Sequence, residues 1–325
     1  MPAFLDALAQ RASTRQRRIA FPEADDPRVR EAVLALHHRR TVQPVVVATP
    51  ALDVTPFREA GIEVVLPLTD PRAPRFAAAL HERRRARGMD ADEARRRMQD
   101  PLFFADALVA AGDVDGCVAG AVATTADVLR AALWVVGPAE GVSTVSSAFY
   151  MVVPPFRGAE PEVLTFTDGA VVPEPTATQL ADIAIAAAHD RSRIVGDPPV
   201  VAFLSFATYG SAAGPAVDRV RDAMLEFRRR MPDVPVDGPL QADAALLEAI
   251  GARKAPGSPV AGRANVLVFP SLEAGNIGYK LVERLAHAAA VGPIIQGLRR
   301  PCSDLSRGAS PGDIMAVAAI TALQA

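Results

Sequence analysis

Short runs of apolar, mostly β-branched residues alternate along this chain with longer segments whose apolar positions recur every three or four residues. The short runs are typical of buried strands, and the longer segments are typical of amphipathic helices. A chain that alternates strand and helix in this way builds βα units around a mostly parallel sheet. The pattern therefore predicts an α/β fold.

The alternation occurs twice, once before and once after Pro138. In the first part, a helix is predicted from Asp26-Pro27 to Leu36, and residues 72–111 are predicted to be largely helical. A last strand at 294–297 and a last helix at 310–324 are interpreted as a return of the chain to the first domain. The predicted strands are 18–21, 45–48, 63–66, 116–121, 143–153, 162–166, 200–206 and 266–269, and the later helices are 176–188, 215–229 and 242–250.

Length and composition agree with a globular enzyme. The 325 residues are enough for two α/β domains, and a hydrophobic content of 50% can fill their cores. A net charge of -2 gives no reason to expect a nucleic-acid partner. Pro, Gly or charged residues interrupt the apolar stretches before they reach membrane-spanning length, and the N-terminus lacks an apolar signal core. We therefore expect a cytoplasmic protein with no membrane partner.

Cysteine and histidine are too few and too scattered to indicate a metal centre. Cys117 and Cys302 have neither metal-ligand spacing nor the pattern of a disulfide framework. Among the five histidines, only His37 and His38 are close in sequence, and adjacent residues do not share a helix face. We therefore expect no metal site.

Candidate chemistry is concentrated near the C-terminus, where Ser306-Arg307-Gly308 is followed by Asp313. Arg307 offers a planar fork of donors that matches phosphate oxygens, and Ser306 can donate to a developing oxyanion. Asp313 can accept a proton. This set suits acyl transfer to or from phosphate. A loop that only caps the following helix is the structural alternative.

A second candidate lies at a predicted junction of strand and helix, where Thr124-Thr125 precede Asp127 and Arg130. Threonines at such a junction cap the helix, and the free backbone N–H groups there can hold an anion. Arg130 either faces this site or lies one turn along the surface. Capping alone explains the threonine pair equally well.

Several motifs, in the same order along nearly the whole chain, resemble those of the phosphate acetyl/butyryl transferases, most closely those of the acetyltransferase branch. The likeness is densest in the C-terminal half, which ends with the Ser306 loop. The segments that carry it are Gly88-Met89, Glu93-Ala94-Arg95, Val114-Asp115-Gly116, Thr124-Thr125-Ala126-Asp127, Pro175-Thr176, Ala255-Pro256-Gly257-Ser258, Glu273-Ala274-Gly275-Asn276 with Lys280, and Gly292-Pro293 with Gln296-Gly297.

The resemblance implies an architecture like that of isopropylmalate dehydrogenase, with two α/β domains whose mostly parallel sheets flank a cleft. It implies that the chain crosses twice between the domains. We therefore expect residues 1–142 plus 293–325 to form the first domain and residues 143–292 the second. The active site is expected in the cleft. A homodimer is also implied, in agreement with the general prevalence of symmetric dimers.

The implied reaction is acetyl-CoA plus phosphate giving CoA plus acetyl phosphate, reversibly, with no bound cofactor and no metal at the reacting centre. Asp313 would deprotonate the CoA thiol, Arg307 would hold the departing phosphate, and Ser306 would stabilise the oxyanion. The thiolate would attack acetyl phosphate directly in a ternary complex. Further substrate contacts are expected from Thr124, Thr125, Arg130, Asn276 and Lys280. A solvated helix position is the alternative for Lys280.

Three positions depart from the family pattern: Val172 in place of an asparagine, Tyr209 in place of a lysine, and Pro239 in place of an acidic residue. They leave open the choice of acyl chain, so butyryl or another short acyl group remains an alternative. A non-catalytic module that binds acetyl-CoA or acetyl phosphate as a regulatory signal is a third hypothesis. A dehydrogenase is disfavoured because the chain lacks a dinucleotide-binding glycine fingerprint.

Overall fold

A computed structural model describes residues 2–325, with only the backbone described for Pro2. The chain divides into two compact units. We call residues 2–140 and 298–325 the N-terminal unit, and residues 141–297 the middle unit. Both combine helices with a sheet, which confirms the predicted α/β class.

The N-terminal unit is built on a five-stranded parallel sheet of order β11-β4-β1-β2-β3. Apart from the edge strand β3, its short strands are almost wholly buried, as expected for a parallel sheet covered by helices. The elements are α1 (Pro2–Ser13), β1 (Arg18–Phe21), α2 (Pro27–His38), β2 (Gln43–Val47), α3 (Thr55–Glu59), β3 (Glu63–Val65), α4 (Ala73–Arg84), the 3-10 turn Arg85–Arg87, α5 (Ala91–Arg97), α6 (Pro101–Ala111), β4 (Gly116–Ala119), α7 (Thr125–Val135), β11 (Cys302–Asp304) and α13 (Pro311–Gln324).

The middle unit is built on a six-stranded mixed sheet of order β10-β5-β6-β9-β7-β8. Strand β5 runs antiparallel to both of its neighbours, β10 and β6, and the four strands β6, β9, β7 and β8 pair in parallel. The elements are β5 (Ser146–Val153), β6 (Glu162–Thr167), α8 (Ala177–Ile194), β7 (Val201–Leu204), α9 (Pro215–Arg230), β8 (Val236–Leu240), α10 (Ala242–Leu246), α11 (Glu248–Lys254), β9 (Val266–Val268), α12 (Leu272–Leu285) and β10 (Ala289–Gln296).

Helix starts follow from local chemistry. Asp26, Asp100 and Ser310 each cap a helix whose first residue is proline. The cap side chain accepts a hydrogen bond from an otherwise unpaired backbone N–H group, and proline at the first position lacks an N–H to satisfy. These caps place α2 and α13 directly after the loops that follow β1 and β11.

Two predictions about elements are wrong. The strand predicted at 294–297 was assigned to the first domain, but β10 pairs antiparallel with β5 along most of its length and belongs to the middle unit. The predicted helix 242–250 is two helices, because Leu247 adopts an extended backbone conformation that ends α10 and begins α11.

None of the helices described here is both long enough and apolar enough to cross a membrane.

Candidate active site

Three loops of the N-terminal unit leave the same edge of its sheet. In the strand order, β2 and β3 lie on one side of β1, whereas β4 and β11 lie on the other. Because all five strands are parallel, the loops after β1, β4 and β11 emerge side by side where the direction of winding reverses. This is the position at which open α/β sheets bind their ligands. The Ser306 loop and the Thr124-Thr125 junction are two of the three loops.

Glu23, in the loop after β1, binds the loop after β4 through its carboxylate. One oxygen accepts hydrogen bonds from the backbone N–H groups of Gly120 and Ala121 at 2.9 and 2.8 Å. The other accepts from Ala123 at 2.7 Å and from Val122 at 3.3 Å. A single side chain therefore satisfies all the N–H groups of residues 120–123.

Arg28, in the first turn of α2, connects all three loops. Its guanidinium forms an ion pair with Asp26 and holds the pKa of that carboxyl below its usual value. It also donates to the carbonyl oxygens of Ala121 at 3.0 Å, Arg307 at 2.8 Å and Ala309 at 3.0 Å. The backbone of the Ser306 loop is thus fixed from α2.

Asp304, the last residue of β11, is fully buried beneath these loops. One carboxyl oxygen accepts a hydrogen bond from the Thr125 hydroxyl at 2.7 Å, whereas the other has no partner among residues 2–325. Burial raises the pKa of Asp304 to about 6, and the nearby Glu23 carboxylate contributes to the rise. Gly120 closes over this carboxyl: a Cβ atom there would lie 2.3 Å from the unpartnered oxygen.

Ser306 and Arg307 are exposed at the tip of the loop. The Arg307 carbonyl is held by Arg28, but in the described part of the chain its guanidinium forms no ion pair with a carboxylate. The Gly308 N–H group donates to the Ser306 hydroxyl oxygen at 3.4 Å. The structure therefore presents a cation and a hydroxyl to solvent on a fixed backbone.

Asp313 forms a capping box at the start of α13. Its carboxylate accepts from the backbone N–H group of Ser310 at 2.9 Å and from the Ser310 hydroxyl at 2.7 Å, and Ser310 in turn accepts from the Asp313 N–H group. Both contacts to the carboxylate use the same oxygen, and the residue is exposed. Asp313 therefore does cap the helix, as the structural alternative from the sequence proposed. Its carboxylate is nevertheless accessible to solvent.

Thr124 and Arg130 also have partners within the N-terminal unit. Thr124 caps α7 by accepting from the Asp127 N–H group at 3.1 Å, and its hydroxyl donates to the Asp127 carboxylate at 2.8 Å. Arg130 pairs with the same carboxylate, and these contacts lower the pKa of Asp127. Helix capping is thus real here, and any substrate would share these groups with Asp127.

Asn276 and Lys280 lie four residues apart on α12 of the middle unit, on the same helix face. The Asn276 amide donates to the Gly169 carbonyl at 3.0 Å, and Lys280 is exposed with its ammonium 5.7 Å from the Tyr279 ring centroid. The close approach of α12 requires Gly275, because a Cβ atom there would lie 2.0 Å from the Asp168 carbonyl oxygen.

The three departures from the family pattern lie in loops or at strand ends of the middle unit. The backbone N–H group of Val172 donates to buried Asp168 at 2.7 Å, and the Val172 side chain packs against the apolar core. The Tyr209 hydroxyl donates to Asp237 at 2.5 Å, and Asp237 also binds Ser258. Pro239 is part of β8. Tyr209 therefore takes part in a polar network that joins three segments of this unit.

Residues 2–325 contain no group of three or more His, Cys, Asp or Glu side chains arranged to hold a metal ion.

Comparison with known proteins gives the family. The model of the phosphate acetyl/butaryl transferase family matches residues 3–322. The chain belongs to this family. It is 44% identical over 324 residues to a phosphate acetyltransferase of Paracoccus denitrificans, with 98% of each chain covered. It is 41% identical over 331 residues to one of Thermoanaerobacterium thermosaccharolyticum, with 99% of each covered.

Solved structures that resemble this chain include members of the same family. A phosphotransacetylase from Streptococcus pyogenes shares 35% identity with this chain, at a TM-score of 0.92 over 100% of this chain and 98% of the other. Family membership and these relatives make the chain an acyltransferase of the phosphate acetyltransferase type, which interconverts acetyl-CoA plus phosphate with CoA plus acetyl phosphate.

Sequence reasoning did not assign roles to Glu23, Arg28 or the carboxyl group of Asp304, which build the support of the site. Glu23 and Arg28 follow the predicted strand β1, so their position after a strand could have marked them as candidates. Asp304 ends β11, which the sequence did not predict. Which strands are neighbours, however, is a property of the sheet order and not of any local pattern.

Proposed function

We propose that the loop after β11 performs the acetyl transfer between CoA and phosphate, with Arg307 as the residue that binds the phosphate. The observation that carries this proposal is the exposed Arg307 guanidinium, which forms no ion pair in the described chain, on a backbone held by Arg28. A guanidinium is a planar donor fork suited to phosphate oxygens. Its place at the reversal of sheet winding is where such a ligand is expected.

In the direction that forms acetyl-CoA, Asp313 removes the proton from the CoA thiol, whose pKa is ~8.5 in water. The thiolate attacks the carbonyl carbon of acetyl phosphate, and a new carbon–sulfur bond forms. The bond from that carbon to the phosphate oxygen then breaks, and phosphate departs bound to Arg307. Transfer is direct within a ternary complex, and no acyl group is attached to the protein.

Ser306 supports this step by donating a hydrogen bond to the carbonyl oxygen as it becomes negative. An aligned donor of this kind is typically worth about 3 kcal/mol to the transition state. Its hydroxyl lies in the same exposed loop as Arg307, and its oxygen already accepts from Gly308. The hydroxyl hydrogen remains available for a substrate oxygen.

We assign further substrate contacts to Thr124, Thr125 and Arg130, and to Asn276 and Lys280 of the middle unit. For Thr124 and Thr125, support comes from their position at the start of α7, beside the loop that Glu23 holds. For Arg130, support comes from its ion pair with Asp127 in the first turn of that helix. For Asn276 and Lys280, support comes from the family motif and their shared face of α12. Asn276 lies against the Gly169 carbonyl, and Lys280 is exposed.

The proposal extends to a homodimer in the cytoplasm. Helix α12 exposes an apolar stripe, Ile277, Leu281 and Leu285, whose side chains are 56%, 52% and 77% accessible. Residues four apart share a helix face, so a second copy of the chain would bury the whole stripe. For the cytoplasm, support comes from the sequence, in which Cys117 and Cys302 lack the pattern of a disulfide framework. Sedimentation equilibrium should give the mass of two chains, and a single-chain mass would contradict the dimer.

The experiment that tests the proposed role is thioester formation from CoA and acetyl phosphate by the wild type and by Arg307→Ala. We expect the variant to lose most turnover, at least about 100-fold, because phosphate departs without its charge-assisted partner. Arg58→Ala is the matched control, since Arg58 is also an exposed arginine of the N-terminal unit. Unchanged melting temperatures would show that both variants fold. Equal activity of Arg307→Ala and the wild type would remove Arg307 from the mechanism.

A further inference from the structure

The Glu23 carboxylate fills a ring of four successive backbone N–H groups, those of residues 120–123. The N···O distances are 2.9 and 2.8 Å to one oxygen and 3.3 and 2.7 Å to the other. These contacts join segments of the chain that are about one hundred positions apart. Glu23 therefore acts on the β4–α7 loop from outside it.

Successive N–H groups that converge on one point form an anion-binding concavity. This one lies between β4 and the N-terminus of α7, where a phosphate of a ligand would ordinarily be held. Here a carboxylate of the same chain occupies it. Hydrogen bonds to a charged acceptor are among the stronger ones in proteins, so the loop is tied firmly to β1.

The same loop is fixed from its other side by Asp304. Gly120 packs against one Asp304 oxygen, and Thr125, just beyond the loop, donates to the other. Arg28 holds the Ala121 carbonyl. The backbone between β4 and α7 thus has anchors from β1, α2 and β11, and of these only Glu23 binds the N–H groups.

We propose that Glu23 is a positioning residue for the acyl-transfer reaction. Its carboxylate holds residues 120–123, and this sets the position of Thr124 and Thr125 at the start of α7. The inference rests on the proposed function, because it takes these threonines as substrate contacts. The competing arrangement is a phosphate site that Glu23 blocks and that substrate opens by displacing it. Removal of the Glu23 charge should raise KM for acetyl phosphate in the first arrangement and lower it in the second.

The test compares the wild type with Glu23→Gln, Glu23→Asp and the control Asp25→Asn. Glutamine keeps one acceptor but turns an NH₂ group toward N–H donors. Asp25→Asn removes the same charge two residues away, where the carboxylate accepts a hydrogen bond from the Thr49 hydroxyl at 3.0 Å. We expect Glu23→Gln to lower kcat/KM for acetyl phosphate by about 10- to 100-fold, the range expected for lost charge-assisted hydrogen bonds. Asp25→Asn should stay within about twofold.

The rise in KM for acetyl phosphate should exceed the fall in kcat, because Ser306 and Arg307 are unaltered while the binding loop is displaced. Glu23→Asp should fall between the wild type and Glu23→Gln, since it keeps the charge but is one methylene shorter. Unchanged KM in Glu23→Gln would overturn the proposal. So would a lower KM together with tighter binding of inorganic phosphate, because that result identifies a phosphate site blocked by Glu23.

Amide hydrogen exchange supplies a readout that does not need activity. In Glu23→Gln the amides of residues 120–123 should exchange faster, whereas those of β2 should exchange at the wild-type rate. Faster exchange throughout the N-terminal unit would show a purely structural role and overturn the proposal. If the wild type fails to transfer acetyl groups, the proposed function fails, and exchange alone decides whether Glu23 holds the loop.

Discussion

Asp106 is a buried carboxyl group that should make the stability of the folded protein depend on pH. It lies on α6 in the core of the N-terminal unit, and neither of its oxygens has a hydrogen-bond partner among residues 2–325. Burial raises the pKa of Asp106 to about 7, although the neighbouring thiols of Cys302 and Cys117 oppose the rise. The charged form is unfavourable there because the two thiols, which are weak donors, replace only part of its hydration.

Stability should therefore fall as pH rises through the pKa of Asp106. The folded protein binds this proton more tightly than the unfolded chain, whose pKa is near 3.8. The stabilisation that results from this tighter proton binding is fully present below about pH 4 and is lost as the pH rises to about 7. A difference of about three pH units corresponds to at most about 4 kcal/mol. In urea unfolding, the free energy of unfolding of Asp106→Asn should gain on that of the wild type between about pH 4 and pH 7 and level off above that range. A constant difference, like that expected for the exposed control Glu31→Gln, would contradict this.

The residues of the candidate site were only partly predictable. Ser306 and Arg307 could be proposed because hydroxyl and guanidinium groups near glycine suit phosphate chemistry, and the structure presents both at a loop tip. Glu23 and Arg28 could not, because their partners are backbone groups far away in sequence. A carboxylate that binds main-chain N–H groups leaves no pattern of side-chain types. Its role emerges only when the strand order is known.

At the scale of elements, Asp313 combines a capping role with its proposed catalytic one. It forms the capping box of α13 with Ser310, which is the helix-capping role that the sequence offered as the alternative to catalysis. Asp313→Asn separates the two roles, because an amide oxygen can still accept from the Ser310 N–H group but the side chain can no longer remove a proton.

We expect Asp313→Asn to lower turnover more at neutral than at alkaline pH, where the CoA thiol ionises without help near its pKa of ~8.5. Profiles of kcat/KM against pH are the measurement. Ser310→Ala is the control, since it weakens the cap by about 1 kcal/mol but leaves the carboxylate in place. An equal loss at every pH would show that Asp313 positions CoA and is not its base.

Elements were predictable where their signals were local. Strand β1 and the caps of α2 and α13 follow from short apolar runs and from Asp-Pro or Ser-Pro pairs. The three-residue strand β11 was missed because its residues include a serine and an aspartate, and only its pairing with β4 makes it a strand. Strand β8 was missed because it contains glycine and proline, which normally disfavour strands.

At the scale of the whole molecule, the α/β class followed from periodicity, whereas the family followed from motifs spread along the chain. Periodicity did not reveal that β10 belongs to the middle unit, because the C-terminal end of β10 is continuously buried and has the short apolar run that is typical of a parallel strand. Family likeness covers residues 3–322, so it constrains the reaction more than any single loop does. Choice of acyl chain is less constrained, since one methylene changes binding by only about 1–3 kcal/mol.

The decisive measurement is thioester formation by the purified wild type, from CoA and acetyl phosphate in the presence of a chelator. Butyryl phosphate is assayed beside it at the same concentration. We expect rapid thioester formation that is faster with acetyl than with butyryl phosphate and that the chelator does not slow. Absence of turnover with either acyl phosphate, while CoA still binds, would contradict it.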